Sequence, residues 1–286
     1  MSRANQIPTR TDKQLVVFSD LDGSLLDHDT YDWTPARPAL EMLRQHDVPL
    51  VLVSSKTLAE LDDYRQQLRL DHPVIAENGA AMWVPEKYFT DSAILRAVSL
   101  PRAKLRSAYE SVKTASTFQC EAFYELGVYG IIRETGLTEQ QAERANARMS
   151  SEPILWRDTE ARRIEFERAM KVLGLRCVMG GRFLHLMGET GKEEAVHQLL
   201  GAYAKKWPGR TLTSVALGDG PNDLGMLAST NVAVIIPGRH NFRLELNSKN
   251  RVLRAASPGP AGWNEAMLTL LAELYETPLA RSDNGV

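Results

Sequence analysis

Asp20 and Asp22 stand one residue apart in Phe18-Ser19-Asp20-Leu21-Asp22-Gly23-Ser24. Two carboxylates at that spacing on a loop can point to one side and share a cation. Taken alone, such a pair reads first as an Asx turn or a helix cap. A second acidic cluster, Gly218-Asp219-Gly220-Pro221-Asn222-Asp223, changes that balance, because distant parts of the chain now offer carboxylates together. Hard oxygen donors with no soft ligand among them select magnesium, which keeps waters and also binds a phosphate. Ser54 can donate a hydroxyl hydrogen bond to a phosphate oxygen, and Lys192 can supply a compensating positive charge. By themselves these two are an ordinary turn serine and a solvated lysine at a helix start; their places relative to the acidic clusters raise them.

The elements around these residues fall into a rhythm. Leu15-Val16-Val17-Phe18 is a short apolar, β-branched run that stops at the first acidic cluster, as a buried parallel strand entering a loop does. A helix over Pro38 to Asp47, a strand over Val48 to Val53, a helix over Leu58 to Leu70 and a strand over Val74 to Ala76 follow, each strand ending in polar residues. The pattern returns late, with a helix over Lys192 to Trp207, a strand at Val215-Ala216-Leu217, a short helix over Leu224 to Ser229 and a strand over Val232 to Ile236. Parallel strands with helical crossovers predict a doubly wound, Rossmann-like α/β sheet, in which ligands collect beyond the carboxyl ends of the strands.

Between about Pro85 and Leu184 the texture changes to charged helices, Glu139 to Arg148 and Thr159 to Leu173, and short strands, Ile154-Leu155-Trp156 and Arg176-Cys177-Val178. This predicts an inserted α+β cap over residues 85–184, dividing the core into residues 1–84 and 185–286, with Pro85, Gly180 and Gly181 as punctuation. The tail from Thr277 to Val286 reads as frayed.

At 286 residues and 43% apolar content the chain can bury one elaborated core or two modest ones. A formal charge of -2 gives no general attraction to nucleic acid or anionic membrane, so neither is an expected partner and phosphate binding must rest on a local field. Cys120 and Cys177 lack neighbours at zinc spacing and read as reduced, structural thiols. Met1 to Lys13 is polar, with Arg3, Arg10 and Lys13, and resembles neither a signal peptide nor an anchor; a cytoplasmic protein is the expectation.

Asp20-Leu21-Asp22-Gly23-Ser24, Ser54, Lys192 and Gly218 to Asp223 occur in the order of the four motifs of the haloacid dehalogenase (HAD) superfamily of phosphatases, which this sequence resembles. Two departures are Ser24, where many members carry threonine, and Glu193, where a glycine commonly follows the lysine. Within the superfamily, the sequence resembles the mannosyl-3-phosphoglycerate phosphatases. The resemblance rests also on Tyr31-Asp32-Trp33, Ser54-Ser55-Lys56-Thr57, Ile75 to Ala80, Ile154 to Asp158 and Gly181 to His185. It implies an aspartyl-phosphate mechanism with Asp20 as nucleophile and Asp22 as acid and base, while Ser54 and Lys192 hold the phosphoryl oxygens. Magnesium would be held by the Asp20 and Asp219 carboxylates and the Asp22 backbone carbonyl, with Asn222 or Asp223 supporting from behind.

The implied substrate is a small sugar phosphate carrying a carboxylate, which an arginine can grip bidentately; Arg182 is the first candidate. Ser55, Lys56, Thr57, Glu77, Asn78 and Gly79 end core strands and are further candidates to meet the glycerate or sugar hydroxyls, with loop capping as the alternative. His185 reads as the polar face of a strand, or as a sugar contact. Trp33, Trp156 and Trp263 read as packing. Glucosyl-3-phosphoglycerate or another sugar phosphate is the runner-up substrate. From other classes, a nucleotide-sugar glycosyltransferase also uses Asp-x-Asp to hold a metal, but the late acidic cluster and Lys192 speak against it, and a non-catalytic receiver would be shorter and lack the insertion.

Overall fold

The computed structural model describes residues 13–89, 99–180, 182–238, 246 and 250–275; the readings made for Met1 to Asp12, Gly181 and the tail from Thr277 lie outside them. A seven-stranded sheet has the order β11-β10-β9-β1-β2-β3-β4. Its strands are β1 (Lys13–Ser19), β2 (Leu50–Val53), β3 (Val74–Ala76), β4 (Ala81–Trp83), β9 (Thr211–Gly218), β10 (Val232–Ile235) and β11 (Arg251–Arg254). The pairs β1–β9, β9–β10, β10–β11 and β2–β3 are parallel, while β4 turns back antiparallel on β3. Val16, Val17, Phe18, Val51, Leu52 and Val53 are wholly buried, which is why these strands read as continuous apolar runs rather than alternating ones. The mainly parallel α/β fold expected from the sequence is therefore present.

By packing, the chain forms two compact units, Met1–Leu50 with Trp207–Val286, and Val51–Lys206. The first unit carries α1 (Arg37–Gln45), α8 (Leu224–Ala228) and α9 (Gly259–Tyr275). Helix α9 is hard to read from the sequence because Gly259-Pro260-Ala261-Gly262 looks like a breaker. The proline instead takes an early position of the helix, and Gly262 allows a close approach, since a Cβ there would lie 1.8 Å from the Ser257 carbonyl oxygen. Trp263 is fully buried, as a packing role requires.

The second unit carries α2 (Leu58–Leu68), α3 (Arg102–Ser116), β5 (Cys120–Ala122), α4 (Phe123–Thr135), α5 (Glu139–Asn146), β6 (Ser151–Trp156), α6 (Glu160–Val172), β7 (Leu175–Met179), β8 (Leu184–Gly188) and α7 (Lys192–Lys206). Here β5-β6-β8-β7 form a separate antiparallel sheet. Leu105 and Tyr109 of α3, Phe166 and Met170 of α6, and Ile154, Leu184 and Leu186 of the sheet share one apolar core. Neither α3 nor α4 stands out in the sequence. The interior of α4 breaks helical geometry at Gly127 (φ 62°, ψ 179°), which erases its periodicity. Trp156 packs against Phe118 and Phe166, at 5.8 and 5.4 Å between ring centres, whereas Trp33 is partly exposed with the Arg37 guanidinium 5.7 Å from its ring. Both cysteines are free, and burial pushes the Cys177 thiol up to about 12.

Beside β3, the His72 Nδ1 lies 2.9 Å from the Tyr88 hydroxyl, which lies 3.0 Å from that of Tyr203. Burial pushes the His72 imidazole down to about 4, Asp71 opposing and Lys206 reinforcing the shift. Because the folded imidazole resists a proton that the unfolded one accepts, stability present above about pH 6.5 is lost as pH falls toward 4. Urea melts at pH 7, 6 and 5 should therefore show stability declining with a contribution of up to about 1.4 kcal/mol per pH unit from this group. His72→Gln should flatten that decline; parallel pH dependences of the two proteins would rule the assignment out.

Candidate active site

In the first unit, the backbone of β1 carries Asp20 into position. The Asp20 N–H continues the ladder onto the Leu217 carbonyl (2.9 Å), and the Ser19 hydroxyl donates to the Asp20 carbonyl (2.7 Å) while accepting from Trp263 Nε1 (2.9 Å). The chain then turns tightly, Ser24 N–H donating to Leu21 and Gly23 N–H to Leu26, with Asp22 bridged to Leu26. Gly23 has φ +80°, and a Cβ there would lie 2.4 Å from Asp219 Oδ2, so only glycine admits both the turn and the neighbouring carboxylate.

Asp219 arrives at the end of the adjacent strand β9. Its loop is braced by Asp223, whose Oδ2 accepts from the Asp219 and Gly220 N–H groups at 3.1 and 3.0 Å. Asp20, Asp219 and Asp223 each present an oxygen within 4.8 Å of the others. Asp20 and Asp223 are buried and Asp219 partly so. Three converging hard oxygen donors of like charge, with no soft donor in the group, fit a magnesium ion. The Asp22 carboxylate is not in that group; the resemblance gives it a backbone-carbonyl role. Asn222 stands in the short 3-10 turn Pro221–Asp223 and is partly exposed. A cleft of about 160 Å³ opens beside Asp219, lined also by Gly23, Asp27, His28 and Gly259.

In the second unit, Ser54 ends β2 and is buried. Its N–H donates to Ile75, its carbonyl accepts from the Asn78 N–H (2.9 Å), and its hydroxyl accepts from the Lys56 N–H (3.2 Å). Lys192 is 1% exposed at the start of α7. Gly79 (φ +94°) lets the turn after β3 approach that helix start, because a Cβ there would meet the Gly191 carbonyl at 2.0 Å and the Lys192 nitrogen at 2.9 Å. Ser54, Asn78, Gly79 and the Lys192 backbone thus form one neighbourhood.

The other candidates are engaged in different ways. Thr57 and Glu60 make a capping box on α2, and the Thr57 hydroxyl also donates to the Arg144 carbonyl (2.8 Å). Glu77, fully buried, accepts from Met149 N–H (2.8 Å), Ser150 N–H (3.1 Å) and the Ser151 hydroxyl (2.6 Å). The Ser55 carbonyl accepts from Arg148 Nη1 (3.1 Å), and Lys56 Nζ lies 6.0 Å from the Tyr64 ring centre. Arg182 is exposed and donates to the Glu134 carbonyl. His185 corrects the reading of a polar strand face: all of β8 is buried, and His185 is 6% exposed. Burial first, then the Arg148 and Lys192 charges, push its imidazole down to about 3. Arg148 went unnoticed because Glu139 to Arg148 looks like a solvated helix, and no local signal separates it from its surface neighbours.

The contact between Gly23 and Asp219 gives a direct test. Gly23→Ala should displace the Asp219 carboxylate and weaken magnesium binding by at least about tenfold, given a strain of roughly 1–2 kcal/mol at positive φ before the clash is counted. Calorimetric titration with magnesium measures this, and unchanged affinity would show that Asp219 is not a ligand.

Comparison with known proteins agrees with this architecture. Residues 17–177, more than half of the chain, match the model of the haloacid dehalogenase-like hydrolases. Protein 0175 of Thermoplasma acidophilum superposes with a TM-score of 0.64 at 14% identity, over 92% of this chain and 99% of that one. The sucrose-phosphatase of Synechocystis sp. PCC6803, solved with sucrose and phosphate, gives 0.59 at 16%, over 90% and 98%. The subclass IIB sugar phosphatase BT4131 gives 0.61 at 15%, over 90% and 99%. At these identities the superpositions speak to the fold, whereas the family match spans Asp20, Asp22 and Ser54; the chain belongs to the haloacid dehalogenase-like hydrolases.

Proposed function

We propose that this hydrolase is a magnesium-dependent phosphomonoesterase acting on a glycosyl-3-phosphoglycerate, with the mannosyl compound as substrate and the glucosyl one as its nearest alternative. The observation that carries the reading is the convergence of Asp20, Asp219 and Asp223 at neighbouring strand ends. Family membership and the sugar phosphatases of like fold support it. A cytoplasmic location belongs to the same reading.

Asp20 attacks phosphorus with one carboxylate oxygen, forming an O–P bond as the ester O–P bond breaks. Asp22 gives its proton to the departing alkoxide, then takes one from the water that attacks the aspartyl-phosphate, releasing Asp20 and inorganic phosphate. The Ser54 hydroxyl and the Lys192 ammonium hold the phosphoryl oxygens through both transfers. The Asp20 and Asp219 carboxylates and the Asp22 carbonyl would hold magnesium, with Asp223 and Asn222 fixing the Asp219 loop behind them. When bound, the metal screens the charge between the carboxylate nucleophile and its anionic target.

Residues 85–184 act as the cap that selects the substrate. Ser55, Lys56, Asn78, Gly79 and Arg182 supply substrate-facing groups, and Thr57 and Glu77 shape that wall while holding residues 144–151. No helix among the described residues is long and apolar enough to cross a membrane.

Phosphate release from a panel of sugar phosphates, with and without magnesium, tests the substrate; no preference for glycosyl-phosphoglycerates would refute it. Asp20→Asn should lower kcat by at least about 1000-fold. Trapping of fluoroberyllate on the wild-type protein, lost in that variant, would locate the nucleophile.

A further inference from the structure

In the second unit, His185 and Arg148 have no part in the phosphoryl transfer just described. Leu184 and Leu186 of β8 enter the core beneath α3 and α6, so strand alternation turns His185 to the opposite face of the four-stranded sheet. His185 pairs with Pro153 across β6, which places Ser151 on that same face one diagonal step away. The His185 Nδ1 is buried and has no hydrogen-bond partner. Gly180 leaves room for the ring, a Cβ there lying 3.0 Å from Nε2. An imidazole removed from water without a partner is costly, and such groups in native proteins commonly have a ligand or water as the missing partner.

Arg148 lies over the same face. Its Nη1 donates to the Ser151 hydroxyl (3.0 Å) and the Ser55 carbonyl (3.1 Å), its Nε donates to the Ala145 carbonyl (3.1 Å), and its guanidinium centre is 5.7 Å from the Phe123 ring. These bonds fix the plane of the fork and leave Nη2 with no hydrogen bond among the described residues. Nor does any described carboxylate pair with this guanidinium within 4.0 Å. Glu60 and then Glu77 attract it most strongly without touching it, Glu77 reaching Arg148 only through the Ser151 hydroxyl. A largely buried arginine without an ion pair is held ready for an anion from outside. Ser55 directly follows Ser54, and Asn78, whose Oδ1 is also buried without a partner, donates its N–H to the Ser54 carbonyl.

The geometry points to Arg148 and His185 as the specificity residues that read the leaving group, Arg148 gripping its carboxylate and His185 hydrogen-bonding a hydroxyl beside it. This rests on the phosphatase reading above and moves the carboxylate grip from Arg182 to Arg148. Neutral imidazole offers one donor and one acceptor, which suits a hydroxyl. The planar fork suits a carboxylate.

The test uses the full chain with magnesium. Binding of 3-phosphoglycerate and of glycerol 3-phosphate, which lacks the carboxylate, is measured by calorimetry on Asp20→Asn protein, alone and combined with Arg148→Gln, Arg148→Lys or His185→Leu. Turnover of p-nitrophenyl phosphate and of a glycosyl-3-phosphoglycerate is measured on the single variants. Arg148→Gln should weaken 3-phosphoglycerate roughly 10- to 100-fold and raise KM for the glycosyl substrate alike, with glycerol 3-phosphate and p-nitrophenyl phosphate changed less than about twofold. Arg148→Lys should fall between, and it is the variant to read if Arg148→Gln does not fold. His185→Leu should raise KM for the glycosyl substrate alone. Equal losses on ligands with and without the carboxylate, or no loss on either, would overturn the assignment. Absence of any turnover by the wild-type chain would instead defeat the phosphatase reading, with the calorimetric comparison still deciding the subsite.

Discussion

Three carboxylates whose oxygens lie within 4.8 Å of one another repel, and much of the first unit is arranged to hold them there. At an effective dielectric of about 20, one such pair costs roughly 3–4 kcal/mol if both are ionised. The opposing forces come from backbone geometry. Asp20 is fixed by the β1–β9 ladder, Asp223 is bound by two loop N–H groups, and Gly23 admits Asp219 where any side chain would expel it. The divalent cation proposed above would turn this repulsion into the reason for the arrangement.

The parallel strands and their order of appearance were legible because a sheet buried on both faces writes itself as unbroken apolar runs, and Val16 to Phe18 and Val51 to Val53 are such runs. Asp20 and Asp219 were legible for a related reason: each comes just after such a buried run, Val16 to Phe18 and Val215 to Leu217, and Asp223 closes the short turn after the second. The rest depended on tertiary partners. Burial of His185 comes from what covers β8, and the alternation of Phe183-Leu184-His185-Leu186 is the same whether its second face is wet or dry. The placement of Arg148 depends on helix α5 ending at Asn146, so that the following residues swing toward Ser55.

The loops after β2 and β3 hold the segment that leads into β6. Thr57, Ser55 and Glu77 were natural candidates for substrate contact because they end core strands. In the folded chain they accept or donate bonds to Arg144, Arg148, Met149, Ser150 and Ser151, so the segment leading into β6 is tied to those loops. Glu77 and Asn78 both adopt positive φ, 51° and 55°, and such backbone persists where surrounding bonds over-determine it. Residues proposed above for recognition therefore also serve as tethers, and changes there act on the segment leading into β6.

The bond from Trp263 to Ser19, spanning 244 residues, joins the last described helix to the strand that presents Asp20. Its neighbour in the sheet, β9, is also remote in sequence, with Val17 beside Val215. A ribosome makes β1 long before either of its two supports. Through most of synthesis this apolar strand has no partner of its own unit on the β9 side, so the nascent chain carries an exposed pairing edge that must be kept from other chains. A protein truncated before Trp263 would keep every acidic residue of the site and lose the clamp on Ser19, so an intact acidic motif set is no guarantee of an intact site.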